Sequence, residues 1–334
     1  MTQRITVIGD GGMGTICAIM LAENGHKVRL WSAFEDQAKE LREHRENRKF
    51  LPGKMLPESI DVISGREGVF DGADWILSAV PTQFVREVWS GLKNICPAGV
   101  PICSVTKGIE NETLLRPSEI LLDVLGEPDR PIAVLSGPSI APEIARELPA
   151  TVTAASSDAA LARRVQECIS RPYFRVYTNP DVVGVELAGA TKNVIAIAAG
   201  VLDGMGAGVN AKAALLTRGL VEISRLGVAA GAKPKTFAGL SGLGDLVTTC
   251  FSPVGRNRSF GQAVGSGKSV EEALAEIEGV VEGVATTRSV AALAEKLGVE
   301  MPLTQAVYDV IIEGRDRHEA IAGLMARPLR SEME

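Results

Sequence analysis

Short apolar runs alternate with amphipathic segments through the first half of the chain. Residues 5–8, 27–31, 74–80, 101–105 and 132–135 read as strands, and residues 15–24, 35–45 and 83–92 carry the period of helices. Residues 151–154 and 174–177 add strands on either side of a helix at 159–170. Strands separated by helices predict an α/β fold with a parallel, doubly wound sheet. Beyond residue 181 the strand-like runs stop. Helical patterns rich in small residues take over, at 182–204, 210–226, 270–277, 283–297 and 304–313. Two domains are expected: a sheet domain over 1–180 and an all-helical domain over 181–334, with residues 330–334 as a frayed tail.

The first strand runs straight into GDGGMG at 9–14, and a helical pattern starts at once. This order suits a dinucleotide pyrophosphate seated on a helix N-terminus, in a Rossmann-like domain. Gly9 allows the tight turn, Gly11 lets backbone approach phosphate, and Gly14 lets the helix pack close to the strand. The unpaired N–H groups of the first helical turn then hold the anion. At the end of the second strand an acid would bind the ribose 2′-hydroxyl, and an arginine would suit a 2′-phosphate. Residues 31–36 read Trp-Ser-Ala-Phe-Glu-Asp, which is neither pattern. In the loop at 47–57, Phe50 and Leu51 are either cofactor or substrate neighbours or simple anchors of the loop.

Ligands of such sheets lie beyond the carboxyl ends of the strands. TKGIE at 106–110 and SGPS at 136–139 stand there, which favours a functional Lys107 over a merely solvated one. The segment 182–204 is apolar on most faces and reads as a buried central helix. A lysine is almost never fully buried without a partner. Lys192 must therefore reach solvent, pair with Glu186 or Asp245, or line a cleft. In a cleft, desolvation and a second cation would lower its pKa toward the range of a general acid–base. GRNR at 255–258 offers a guanidinium beside an amide, apt for a phosphate. Taken alone, an R-x-R in a loop is more often a surface charge pair.

Composition narrows the class. The 334 residues exceed one ordinary core, and 46% hydrophobic with 23% charged residues is the balance of a globular protein. A net charge of −6 supplies no basic field for nucleic acid or an anionic membrane, so a phosphate must be met by a few local cations. The cysteines at 17, 96, 103, 168 and 250 form no C-x-x-C, which points to buried free thiols rather than a zinc site or disulfides. Glu186, Lys192 and Asn193 interrupt the longest apolar stretch, so no membrane span is expected. The first strand begins too early for a signal peptide, and a cytoplasmic location is expected.

Several segments together resemble the bacterial-type NAD(P)-dependent glycerol-3-phosphate dehydrogenases. They are GDGGMGT at 9–15, TKGIE at 106–110, LSGPSIAPE at 135–143, ELAGATKNVIAIAAG at 186–200, GLGDLVTTC at 242–250, RNRSFG at 256–261 and VEG at 281–283. Their joint order and spacing make the resemblance specific. It implies an active site between a Rossmann domain and a helical domain, and NAD or NADP as cofactor. The implied reaction is reversible hydride transfer between that cofactor and dihydroxyacetone phosphate, giving sn-glycerol 3-phosphate for phospholipid synthesis.

The resemblance also implies roles. Lys192 matches the proton acceptor, and Lys107 a residue touching cofactor and substrate. Gly137, Ser139, Asp245 and Asn257 match substrate positions, and Arg256 matches a residue at both the phosphate and the cofactor. Gly9, Gly11, Gly12, Met13, Gly14, Ala141, Val280 and Glu282 match cofactor contacts. The chain departs from the family at Met13, usually aromatic, at Ala33, often arginine, and at Gly255, often serine. The first two leave the choice between NAD and NADP open. The resemblance implies a small phosphorylated three-carbon substrate; a homodimer is one assembly left open, and the charge balance argues against nucleic acid. A β-hydroxyacid or 6-phosphogluconate-type dehydrogenase of the same plan is the alternative enzyme, and a nucleotide-sensing relative the non-catalytic one.

Overall fold

The computed structural model describes all residues except Glu278, Arg330, Met333 and Glu334. The expectation of a frayed tail therefore lies partly outside the described residues. The strands are β1 (Arg4–Ile8), β2 (Lys27–Trp31), β3 (Ile60–Ile63), β4 (Trp75–Ser78), β5 (Ile102–Ser104), β6 (Ile132–Ser136), β7 (Ala150–Ala155) and β8 (Phe174–Asn179). They form one sheet in the order β3-β2-β1-β4-β5-β6-β7-β8. The order reverses between β1 and β4, and a crevice for ligands opens at that point in doubly wound sheets.

The intervening helices are α1 (Gly12–Glu23), α2 (Glu35–His44), α3 (Thr82–Leu92), α4 (Pro117–Leu125), α5 (Ala141–Ala145) and α6 (Ala159–Ile169). Side chains alternate across the strands. Ile5 and Val7 pack into the core with Ile16, Ile19 and Met20 of α1, while Ile8 faces Val85, Trp89 and Ile120 of α3 and α4. Both faces of the sheet are thus covered, which accounts for its apolar strands.

The sheet differs from the expected all-parallel form at β7, which runs antiparallel to β6 with Leu135 opposite Ala154. Between them stands only α5, about 7.5 Å long at the helical rise, against roughly 17 Å for a five-residue strand. So short a helix does not carry the chain back along the sheet, and the strand turns instead. The longer α6 restores a parallel pair between β7 and β8.

Beyond Asn179 the described elements are helical: α7 (Val182–Gly204), α8 (Gly208–Ala229), α9 (Pro234–Phe237), α10 (Asp245–Phe251), α11 (Arg256–Gly265), α12 (Val270–Ala275), α13 (Glu282–Leu297), α14 (Pro302–Ile311) and α15 (Arg317–Met325). A π-helical turn at Leu240–Gly244 leads into α10. Helix α7 is long and apolar enough to cross a membrane, but 83% of its most apolar window is buried inside the fold. It is the axle of the helical half. Helix α11 lies against it with backbones nearly touching, for a Cβ on Gly200 would stand 2.0 Å from the Arg258 carbonyl oxygen. One on Gly261 would stand 2.1 Å from that of Ile197. Small residues on both helices set this spacing, and it fixes where the N-terminus of α11 points.

Candidate active site

The glycine loop joins β1 to α1. Gly9 adopts φ +106°, open to glycine and strained for other residues, and a Cβ there would meet the Ala79 carbonyl oxygen at 2.8 Å. A Cβ on Gly14 would fall 2.0 Å from the Gly9 carbonyl oxygen, so α1 starts in direct contact with the turn. At Gly11 nothing lies within 4 Å, and a side chain there would fill the space the loop leaves open. Helix α1 has no side-chain cap and no acid in its first turn. Open space before uncapped N–H groups fits a dinucleotide pyrophosphate. Gly12 sits under the Phe50 carbonyl and 3.7 Å, measured from its would-be Cβ, from the Ala141 methyl. Ala141, at the start of α5, therefore borders the loop. Met13 is half-buried and packs against the core. Leu51 is fully buried and anchors its loop, while Phe50 stays partly exposed.

Three charged side chains meet where the sheet and helical halves touch. Lys192 Nζ donates to Asp245 Oδ1 at 2.5 Å and to the Thr249 hydroxyl at 2.7 Å. Lys107 Nζ donates to the other oxygen, Asp245 Oδ2, at 2.7 Å, and to the Gly137 carbonyl at 3.1 Å. The Ser139 hydroxyl also donates to that carbonyl, at 2.8 Å, and its oxygen lies 3.5 Å from Lys107 Nζ. Of the alternatives for Lys192, the partner is Asp245. Glu186 is engaged elsewhere, accepting from Arg116 at 2.5 Å and from the Ser118 amide and hydroxyl at 2.9 and 2.6 Å.

The three charged side chains arrive from three different elements. Lys107 and Gly137 follow β5 and β6 at the carboxyl edge of the sheet. Helix α7 reaches that edge because Gly189 has no side chain: a Cβ there would stand 2.8 Å from Ser136 Oγ and 3.5 Å from Lys107 Cγ. Three residues on, Lys192 projects from the same side of α7. Asp245 and Thr249, one turn apart on α10, complete the cluster, and Thr249 is fixed by donating to the Asp245 carbonyl at 2.7 Å.

Lys192 is only 7% exposed at its side chain, and Asp245 2%. Burial lowers the Lys192 pKa to about 8; the Asp245 carboxylate opposes the shift and the nearby Lys107 charge adds to it. An ammonium poised near neutrality and held in one place is the form of a general acid–base.

The structure moves GRNR from an expected loop to the start of a helix. Gly255 caps α11, and Arg256 and Asn257 are its first residues. The side-chain oxygen Oδ1 of Asn257 accepts from the Gly283 backbone amide at 2.9 Å, which ties α11 to the start of α13. Arg256 is exposed. Glu282 is half-buried, and burial raises its carboxyl pKa against the charges of Arg256, Lys107 and Lys192. Arg256, Glu282 and the two lysines thus share one electrostatic neighbourhood. Val280, 45% exposed, lies two residues before. Thr249 joins the site from four residues after Asp245, on the same helix face, and that spacing is its only signal in the sequence.

Comparison with known proteins agrees along the whole chain. Residues 4–162 match a family model described as the N-terminus of NAD-dependent glycerol-3-phosphate dehydrogenase, and 181–322 match that of its C-terminus. A glycerol-3-phosphate dehydrogenase [NAD(P)+] of a Geobacter species is 49% identical over 99% of both chains. One from Geobacillus kaustophilus is 47% identical over 99% of this chain and 97% of its own. The crystal structure of the Coxiella burnetii glycerol-3-phosphate dehydrogenase superposes with a TM-score of 0.93 at 40% identity, covering 98% of this chain and 99% of that one. With its glycine loop, its paired lysines and these full-length likenesses, the chain belongs to the NAD-dependent glycerol-3-phosphate dehydrogenase family.

Proposed function

We propose that the protein catalyses reversible hydride transfer between NAD(P)H and dihydroxyacetone phosphate, giving sn-glycerol 3-phosphate, in the cytoplasm and in supply of phospholipid synthesis. The observation that carries the proposal is the buried Lys192 ammonium held at 2.5 Å by Asp245 beside a second lysine. Residues 1–180 bind the dinucleotide and 181–334 most of the substrate, a division supported by the last strand ending at Asn179 and α7 starting at Val182.

When bound, the dinucleotide would supply or accept the hydride through its nicotinamide; Gly9, Gly11, Gly12, Met13 and Gly14 would hold its pyrophosphate, with Ala141, Val280 and Glu282 as further cofactor contacts. In reduction, Lys192 delivers a proton to the carbonyl oxygen; in oxidation its neutral amine takes the proton from the hydroxyl. Asp245 keeps the amine aimed, and Thr249 fixes a second of its directions. Lys107 neutralises Asp245 from the other side and adds positive charge where oxygen becomes negative. Arg256 and Asn257, at the N-terminus of α11, meet the substrate phosphate with a guanidinium, an amide and the helix dipole. Gly137 and Ser139 line the substrate between them.

The test is the oxidation of NADH or NADPH by purified protein on adding dihydroxyacetone phosphate, with β-hydroxy acids run in reverse as controls. Turnover of dihydroxyacetone phosphate alone supports the proposal. Turnover of the β-hydroxy acids alone overturns it. Gel filtration with light scattering tests the further reading that two copies assemble.

A further inference from the structure

In a dinucleotide fold the adenosine ribose lies at the carboxyl end of β2, where an acid binds the 2′-hydroxyl and an arginine suits a 2′-phosphate. The two residues directly after β2 supply neither, and the acids Glu35 and Asp36 stand further on, in the first turn of α2. Ser32 is fully buried, Ala33 has no polar group, and Glu35 is turned to Arg42 and Ser64. A carboxylate reaches this place from the loop that follows the adjacent strand β1. The ends of β1 and β2 are joined by the Gly9 amide donating to the Trp31 carbonyl at 3.0 Å. One residue on, Ser32 Oγ donates to Asp10 Oδ2 at 2.9 Å. Asp10 is 9% exposed, and its backbone carbonyl is held by the Asn47 amide at 2.6 Å and the Thr15 hydroxyl at 3.1 Å. Its carboxylate is thus fixed between the glycine loop and the end of β2.

We propose that the Asp10–Ser32 pair reads the adenosine ribose and makes this chain selective for NAD over NADP. The carboxylate accepts from the 2′-hydroxyl of NAD and repels the 2′-phosphate of NADP. Among the groups around it, the opposing charge is Lys49, whose ammonium stands over the Phe50 ring at 5.0 Å. A single lysine is a point charge without the two-pronged grip an arginine has on a phosphate. This inference rests on the dinucleotide reading of the glycine loop.

Calorimetric titration of the full-length protein with NAD⁺ and with NADP⁺, no substrate present, tests it. The wild type is expected to bind NAD⁺ at least about tenfold more tightly, a typical value for one hydrogen bond to a charged group gained or lost. Asp10→Asn should narrow that ratio by about tenfold, weakening NAD⁺ and tightening NADP⁺, because the amide no longer repels phosphate. Ser32→Ala, which frees the carboxylate, should shift the ratio the same way by less, and it decides the matter if Asp10→Asn does not fold. Equal binding by the wild type, or a ratio unmoved by the variants, overturns the role of the pair while leaving the loop reading intact. Failure of the wild type to bind either dinucleotide overturns both.

Discussion

Asp245 holds Lys192 through one carboxylate oxygen at 2.5 Å, and its other oxygen holds Lys107 at 2.7 Å. One buried anion therefore serves two cations, and neither lysine is fully neutralised. The charge left over is what makes the site suited to an oxygen that turns negative during reaction.

That arrangement fixes the pH dependence. With Lys192 lowered to about 8, its ammonium dominates below that value and its neutral amine above it. In reduction the ammonium is the working form, so kcat/KM for dihydroxyacetone phosphate should be level at low pH and fall as pH rises through about 8. In oxidation the neutral amine works, so kcat for glycerol 3-phosphate should rise through the same range. Lys107→Met removes the neighbouring positive charge and should move both midpoints upward. Profiles of the two directions with the same sign would contradict the assignment.

Arg256 stands exposed at the head of α11. Arg256→Ala should raise KM for dihydroxyacetone phosphate by about tenfold to a hundredfold, the scale of charge-assisted hydrogen bonds. A triose without the phosphate should show no such change. If the variant and the wild type have the same KM, the phosphate lies elsewhere.

The near-contact of α7 and α11 gives a test of packing. Gly261→Ala puts a methyl where the Ile197 carbonyl oxygen is 2.1 Å away, and the backbone must shift. Overpacking of this kind costs about 1–3 kcal/mol. Because α11 carries Arg256 and Asn257 at its head, KM for the phosphorylated substrate should rise along with the drop in Tm. A lower Tm with an unchanged KM would show that α11 does not position the phosphate site.

Glu186 binds Arg116 and Ser118 at the start of α4, joining the central helix to the sheet domain. Glu186→Ala removes the buried acceptor of Arg116 and of the Ser118 amide and hydroxyl, while Glu119 still pairs with the guanidinium at 2.6 Å, so the loss should be about 1–3 kcal/mol. Thermal unfolding should shift well down, and a melting temperature within a degree or so of wild type would show the tie to be redundant.

The glycine loop, the strands around it and the central helix were legible because each has a local signal: a turn that only glycine adopts at Gly9, apolar runs, and a lysine within an apolar helix. Direction and distance were not. Nothing in the residues of β7 says that it runs antiparallel; that follows from how short α5 is. β3 is four residues with a polar Asp61, too brief a pattern to mark a strand, and the short α4 and α5 and the terminal α15 show no clear period for the same reason. The choice between Glu186 and Asp245 for Lys192 depended on contacts far apart in the chain. So did Asp10, whose meaning appears only when Ser32 is seen beside it. RNR at 256–258 reads as a loop from its polar residues, and becomes a helix because the glycines after it dock on α7.

The most direct measurement is the pre-steady-state and steady-state turnover of Lys192→Ala with dihydroxyacetone phosphate, beside the dinucleotide dissociation constant of the same variant. Loss of the acid–base group alone is expected to lower kcat by about 10²–10⁴-fold, with dinucleotide affinity close to that of the wild type. A kcat near the wild-type value would contradict the central claim, because the proton would then have another source.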